Sequence, residues 1–549
     1  MEKRLLLAFV LSAAILFAWS VIFPPPQKIQ PAPVPTTTGE TATPEQETEP
    51  GASETAEEEA SAPAPEPTDE VFSADIEEEI TLVNDDVTVV LTNRGAAVSS
   101  YLLANYDNDD GGRVNLVQNV PLPQRSLPLQ LVTSAGPDVE LYAVERAERG
   151  VIFRWSDGQG NAVTKRLALA DDGFGLDLEI ETTGTRVSDT LSVGTGMRNL
   201  SEKESDSRLA LWGEGIVMKD GEVERFKRGK VKDTRTLTAG RFTYAGFEDA
   251  YFLSILRPET GVEDVSIRPL EFGGGDEKPN RVLEITAAPS RGILRGELLG
   301  APKEYNLLQS IGDGVEKTLN FGIFGPISVF FLKALRWIYG HVGNYGVAII
   351  LLTLGIRILL FPLMHTSTVS MRKMAKVQPK VKEIQAKYKK KKTDPQARAK
   401  MNQEMMALYK EEGVNPMAGC LPLLVQMPLL WALYQLFLKA IELRHEPFIL
   451  WITDLSAKDP LYVTPILMTA TMWLQQRLAP QAGDPQQQKL MRMMPLIFGI
   501  MFLQFPAGLV LYWLTNNVIT IIQQEITLHI VGERKIGGRR GSPGKDLKK

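Results

Sequence analysis

The stretch "IILLTLGIRILLFP" (residues 349–362) is apolar enough to sit in a lipid bilayer, yet it carries Arg357. An arginine near the middle of a membrane helix costs roughly 2.5–3.5 kcal/mol on insertion scales. A chain that keeps one there has to hydrate it, pair it or bring it near the headgroups. Pro362 and His365 are expected to mark the inner end of this helix, which sets Arg357 about 8–12 Å from that edge by helical rise. Two readings stay open: the side chain snorkels to the inner headgroups, or it lies in a wet cavity walled by polar side chains.

Working outward, five apolar segments form the second half of the chain: 346–363, 417–439, 461–479, 493–506 and 508–526. They carry Thr353, Gln426, Gln435, Gln504, Thr515, Asn516 and Asn517, and their interiors hold no Asp or Glu, which speaks against a proton relay. The last two are short; "GLVLYWLTNNVITII" reaches only about 22 Å. Short spans thin the bilayer or expose polar flanks. Interhelical hydrogen bonding and ordinary shielding within a bundle remain the plain alternatives. Ahead of them, 325–342 reads as an amphipathic helix in the membrane interface or, alternatively, as a buried core helix.

The amino-terminal run Leu5–Phe23 follows Lys3 and Arg4 and ends in three prolines, with no small-x-small site. Residues 1–23 are read as an uncleaved signal anchor. Residues 24–70, rich in Pro, Ala, Thr and Glu with Lys28 the one basic residue, are read as a disordered acidic tether. Residues 71–320 break into short strand-like runs such as "DVTVVLTNRG", with "SDGQGN" as a hairpin loop, and predict one soluble β-sandwich.

Charge sets the orientation. The segment 366–413, the loop 480–492 and the tail 531–549 are basic, whereas the loop near 440–460 balances Arg444 and Lys458 against four acids. The positive-inside bias then predicts six spans with both termini inside and the β-domain outside. Within 366–413, Val377, Val381, Ile384 and Tyr388 make one apolar stripe. Asp394-Pro395 opens a second helix with Ala397, Met401, Met405 and Leu408 on one face, ended by Gly413. This is a helical hairpin whose basic outside, including Lys380, Lys382, Lys389 and Lys390, suits RNA or anionic headgroups or is simply a solvated face. Its methionines, Met405 and Met406 among them, suit varied partners or plain packing.

The inventory excludes several chemistries. One cysteine, Cys420, forbids an intrachain disulfide, and His341, His365, His445 and His529 have no ligand-like spacing. No phosphate-binding loop, dinucleotide fingerprint or nucleophile elbow is present, so no cofactor, no metal and no enzymatic activity are expected.

"NPMAGCLPLLVQMPLLWALYQLF" (415–437), "ELRHEPFILWITDLSAKDPLYVTPILM" (442–468) and "FPAGLVLYWLTNNVITIIQQ" (505–524) resemble the signature blocks of the YidC/Oxa/Alb membrane protein insertases. The basic "QPKVKEIQAKYKKKK" loop and Arg357 fit the same family, over nearly the whole chain. The resemblance implies a multi-pass α-helical protein of a bacterial inner membrane, with a five-helix core (343–530) around a hydrophilic groove open to cytoplasm and lipid. It implies insertion and folding of nascent membrane proteins, alone or with the Sec translocon, with ribosome, lipid contacts and action as a monomer. The groove arginine falls on Arg357 and a client-contacting threonine on Thr353. A client-contacting tyrosine falls on Trp513, next to Tyr512. Gln426, Gln435, Thr515 and Asn516 complete the expected groove lining. The outer domain resembles the sugar-mutarotase supersandwich, but residues 71–320 contain no histidine for such chemistry. Two other classes compete with this one: a transporter or channel, which wants inverted repeats or carboxylates in the spans, and an anchored carbohydrate enzyme.

Overall fold

The computed structural model describes residues 70–122, 124–201, 204, 213–272, 280–388, 394–414, 421–478 and 485–530. The anchor 1–23, the tether up to residue 69, Lys389, Lys390 and the tail 531–549 lie outside these residues.

Strands follow the period of two. In Ala162–Leu169 every second residue is buried, so Val163, Lys165, Leu167 and Leu169 face inward. The strand pairs antiparallel with Gly150–Asp157, Ala162 opposite Ser156, across the SDGQGN loop. Lys165 is wholly buried, and its Nζ donates to the carbonyls of Gly95, Ala96 and Leu129 at 2.7, 3.0 and 2.6 Å. Burying a charge requires such compensation. The strands form a ten-stranded, a six-stranded and a four-stranded sheet. Val89, Phe153 and Ile267, one from each sheet, share a single core. Full burial of each such side chain contributes about 1.5–3 kcal/mol.

Helices follow: α1 (Tyr305–Ile311), α2 (Gly325–Val342), α3 (Tyr345–Lys387), α4 (Pro395–Glu411), α5 (Leu421–Lys439), α6 (Val463–Leu478), α7 (Pro485–Phe502) and α8 (Ala507–Ile530). Helix α2 has Pro326 in its first turn and ends on left-handed Gly343, φ 65°. Asn344 then caps α3, its Oδ1 accepting from the Val347 N–H at 3.0 Å.

The structure departs from the sequence reading at Pro362. Helix α3 does not stop there but runs for 43 residues, through both Pro362 and Pro379, into the hairpin. Span 346–363 and the first arm of 366–413 are thus one helix. A proline removes one i−4 bond and crowds the preceding turn. The carbonyl that Pro362 leaves without its helical donor is that of Ile358, and Gln523 Nε2 of α8 donates one residue before it, to the Arg357 carbonyl, 3.3 Å away. By length and apolarity, Gly322–Val342 and Tyr345–Lys387 are able to cross a membrane among the described residues. The segment read as interfacial, 325–342, falls within the first of these.

The loop between α5 and α6 is built on Asp459. Its buried carboxylate accepts from the Leu461 and Thr464 N–H groups, the Thr464 hydroxyl and Trp451 Nε1, all at 2.7–3.0 Å. The same loop feeds α8: the Ala507 and Gly508 N–H groups donate to the Ala457 and Leu455 carbonyls at 2.7 and 2.8 Å. Those N–H groups would otherwise be orphans of a first helical turn.

The β-domain meets the helices through charge. Arg336 of α2 reaches Glu304 at 2.6 Å and buried Glu442 at 3.5 Å, and Arg444 donates to the Asp107 carbonyl at 2.8 Å. Burial pushes the Glu442 carboxyl up to about 7 against the pull of Arg336. The folded chain therefore holds a proton that the unfolded chain, with an ordinary value of 4.5, has already released. Stability should fall as pH rises from about 4.5 to 7, by on the order of 2–3 kcal/mol. Denaturant titrations across that window should show the fall in the wild type and a flatter profile in Glu442→Gln.

Candidate functional site in the helical core

Helices α3 and α8 lie side by side, and the site is where they touch. Arg357 is 5% exposed, whereas Ile358 and Leu359 beside it are 65% and 79% exposed. Ile466, Ile500 and Ile522, on α6, α7 and α8, are also more than half exposed. Charge inward and large apolar residues outward is the reverse of a water-soluble surface. It suits a surround of hydrocarbon.

Arg357 Nε donates to Asn516 Oδ1 at 2.7 Å, and one terminal nitrogen donates to the same oxygen. The guanidinium is therefore turned into the protein against α8. Among the described residues no carboxylate lies within salt-bridge distance of it. Tyr512, one turn before Asn516, is buried. Arg357, Asn516 and Tyr512 thus form one polar cluster between α3 and α8, and Gln426 of α5 is half-buried.

The other expected residues are distributed differently. Thr353 is buried, but its hydroxyl donates back to the Ile349 carbonyl at 2.7 Å, leaving only its acceptor capacity. Trp513 stacks on Phe498 at 6.1 Å and packs edge-on to Phe502 at 5.0 Å, forming an aromatic wall with α7. Thr515 is half-buried beside Asn516. Gln435 does not join Gln426: nine residues is about two and a half turns, which sets the two amides on opposite sides of α5.

Two contributors escaped the sequence reading. Gln523 holds the Arg357 carbonyl; it lies seven residues beyond Asn516, and that two-turn spacing was the available signal. Asn517 was noted only as a polar residue; it is buried and donates to the Met468 carbonyl and the Thr471 hydroxyl, both at 3.4 Å, tying α8 to α6.

In the hairpin, Val377, Val381 and Val414 form a small core against which Met405 and Leu408 pack. Asp394 caps α4, accepting from the Gln396 N–H at 2.9 Å. Lys380 pairs with Glu412 at 2.5 Å and Lys387 with Glu404 at 2.8 Å. Lys382 and Met406 are exposed, so the expected contact residues divide into paired or packed ones and free-facing ones.

Asn516→Leu should leave the guanidinium buried without its acceptor and destabilise the protein by about 3–5 kcal/mol. Adding Arg357→Met removes the stranded charge and should restore most of the loss. Unfolding midpoints of the two variants in detergent would measure both effects.

A family model described as 60Kd inner membrane protein matches residues 337–533, and one described as YidC periplasmic domain matches residues 79–337. The membrane protein insertase YidC of Geobacter metallireducens is 35% identical over 551 residues, covering 95% of this chain and 98% of its own. That of Geobacter sulfurreducens is 37% identical over 545 residues, with the same coverage of 95% and 98%. A solved structure of an active YidC insertase with its first transmembrane domain resolved is 20% identical, with a TM-score of 0.36, covering 84% of this chain and 94% of that one. A periplasmic all-β domain and a helical core, matched in order by the two models and by relatives over almost their full length, place this chain in the YidC family of membrane protein insertases, which are not enzymes.

Proposed function

We propose that the protein inserts and helps fold membrane proteins, with the Arg357 cluster as the place where a client's polar segment is received. One observation carries this reading: a guanidinium 5% exposed, held by a neutral amide and facing no carboxylate among the described residues. A buried cation with only neutral acceptors retains most of its attraction for an anion. A carboxylate on a client competes with Asn516 for Arg357, and the Tyr512 hydroxyl and the Gln426 amide offer hydrogen bonds to unpaired client backbone. Neither exchange consumes ATP.

In this reading the chain crosses the inner membrane six times, with 1–23 as the first span and both termini in the cytoplasm. The five later spans enclose a groove open to cytoplasm and lipid, with Arg357 and Asn516 in its wall. The exposed apolar faces of α3, α7 and α8 let the client's own apolar segment pass into lipid. Lys382, Met406 and the basic tail receive the nascent chain or its ribosome. The protein works as a monomer, alone or beside the Sec translocon. The names of the relatives, insertases over 98% of their lengths, support this assignment.

Insertion into proteoliposomes tests it. Arg357→Glu should slow insertion of a client with an acidic outer tail about tenfold, equivalent to about 1.4 kcal/mol, and spare a client whose tail is neutral. Wild-type rates for the acidic client would remove the electrostatic role. Photocrosslinkers at positions 353, 357 and 513 should label stalled nascent chains; labelling from none of them would remove the site.

A further inference from the structure

His445 was one of four scattered histidines in the sequence, yet folding brings it to a carboxylate 336 residues away. Its Nε2 lies 3.0 Å from Asp109 Oδ1 of the β-domain and 4.0 Å from Asp454 Oδ2 of its own loop. The three donor atoms all lie within 4.8 Å of one another.

Each carboxylate is oriented by its other oxygen. Asp109 Oδ2 accepts from the Ser201 hydroxyl at 2.6 Å. Asp454 Oδ1 accepts from the Ser456 N–H and hydroxyl, both at 2.7 Å. The two remaining oxygens therefore converge on one imidazole nitrogen. Hydrogen bonds of this kind orient metal ligands from outside the coordination sphere.

The charge around them is unbalanced. Arg198 binds Asp249 at 2.5 Å and Glu204 at 2.8 Å, and Arg444 approaches Glu204 at 3.8 Å. Among the described residues these two guanidiniums answer Asp249 and Glu204. With a neutral imidazole, Asp109 and Asp454 are left with two negative charges, which a dication matches.

We propose that Asp109, His445 and Asp454 form a divalent transition-metal site that clasps the β-domain to the loop between α5 and α6. One imidazole and two carboxylates, with water in the fourth position, suit zinc in a tetrahedral shell. Zinc bonds of about 2.0–2.2 Å set neighbouring donors roughly 3.3 Å apart, so Asp454 has to close by about 1–1.5 Å. On binding, the neutral His445 ring carries its one proton on Nδ1, Nε2 giving up its proton as Nδ1 takes one from solvent, and the Nε2 lone pair goes to the metal. The ion then joins two segments that the sequence keeps far apart, and it lies away from the Arg357 cluster.

Untagged full-length protein in detergent, stripped with a chelator, is titrated with cobalt(II) and with zinc. One equivalent of cobalt should produce a visible ligand-field band that zinc abolishes, and zinc should raise the thermal midpoint. His445→Gln, whose amide can still donate to Asp109, and Asp109→Asn should each weaken uptake at least tenfold. His341→Gln and His365→Gln should leave it unchanged. Absence of the band, or uptake unaltered in H445Q and D109N, overturns the proposal. So does a thermal midpoint indifferent to zinc that declines above the histidine range in the wild type alone, since that behaviour identifies a protonated-histidine clamp.

Discussion

The contact between Arg357 and Asn516 is the constraint around which the helical core is arranged. A guanidinium cannot be left without acceptors in a medium that supplies none. The helix that carries it must therefore lie against one that offers an acceptor at the same depth, and α8 does so with Asn516. Gln523 on α8 and the His365–Thr527 contact at 3.2 Å hold the two helices together further along. Once α3 and α8 are paired this way, Ile358 and Leu359 have no place but the outside. The inversion of ordinary surface polarity follows from one residue's need.

That pairing is positioned from the loop between α5 and α6. Asp459 gathers four donors and shapes the loop between α5 and α6, and the same loop satisfies the first N–H groups of α8. The loop also carries Glu442, Arg444 and His445, which meet α2 and the β-domain. The register of α8, and with it the depth of Asn516, is linked through one loop to the β-domain. A change in how that domain is seated has a direct physical route to the Arg357 cluster.

The hairpin of α3 and α4 behaves differently. Its core is small, Val377, Val381 and Val414 with a few partners, and its ion pairs are exposed. Exposed pairs contribute about 0–1 kcal/mol each. Such an element opens and reorients at little cost, which fits a receiving surface better than a rigid scaffold. The polar cluster, by contrast, is held by contacts between α3 and α8 around the buried Arg357.

The sequence by itself determined the division into a strand-rich domain and apolar helices, because composition and the periods of 2 and 3.6 act locally. It singled out Arg357 for the same reason: a charge within an apolar run needs no partner to be noticed. It did not determine where α3 ends, since a proline's effect depends on what neighbouring helices supply to the freed backbone. Nor did it reveal that Thr353 turns back on its own helix, that Gln435 faces away from Gln426, or that Lys165 in a strand is buried on three carbonyls. The pairing of Arg357 with Asn516, and of His445 with Asp109, joins residues 159 and 336 positions apart. Only the tertiary structure decides contacts of that kind, because they depend on which helix faces meet and at what depth, and no local pattern encodes that.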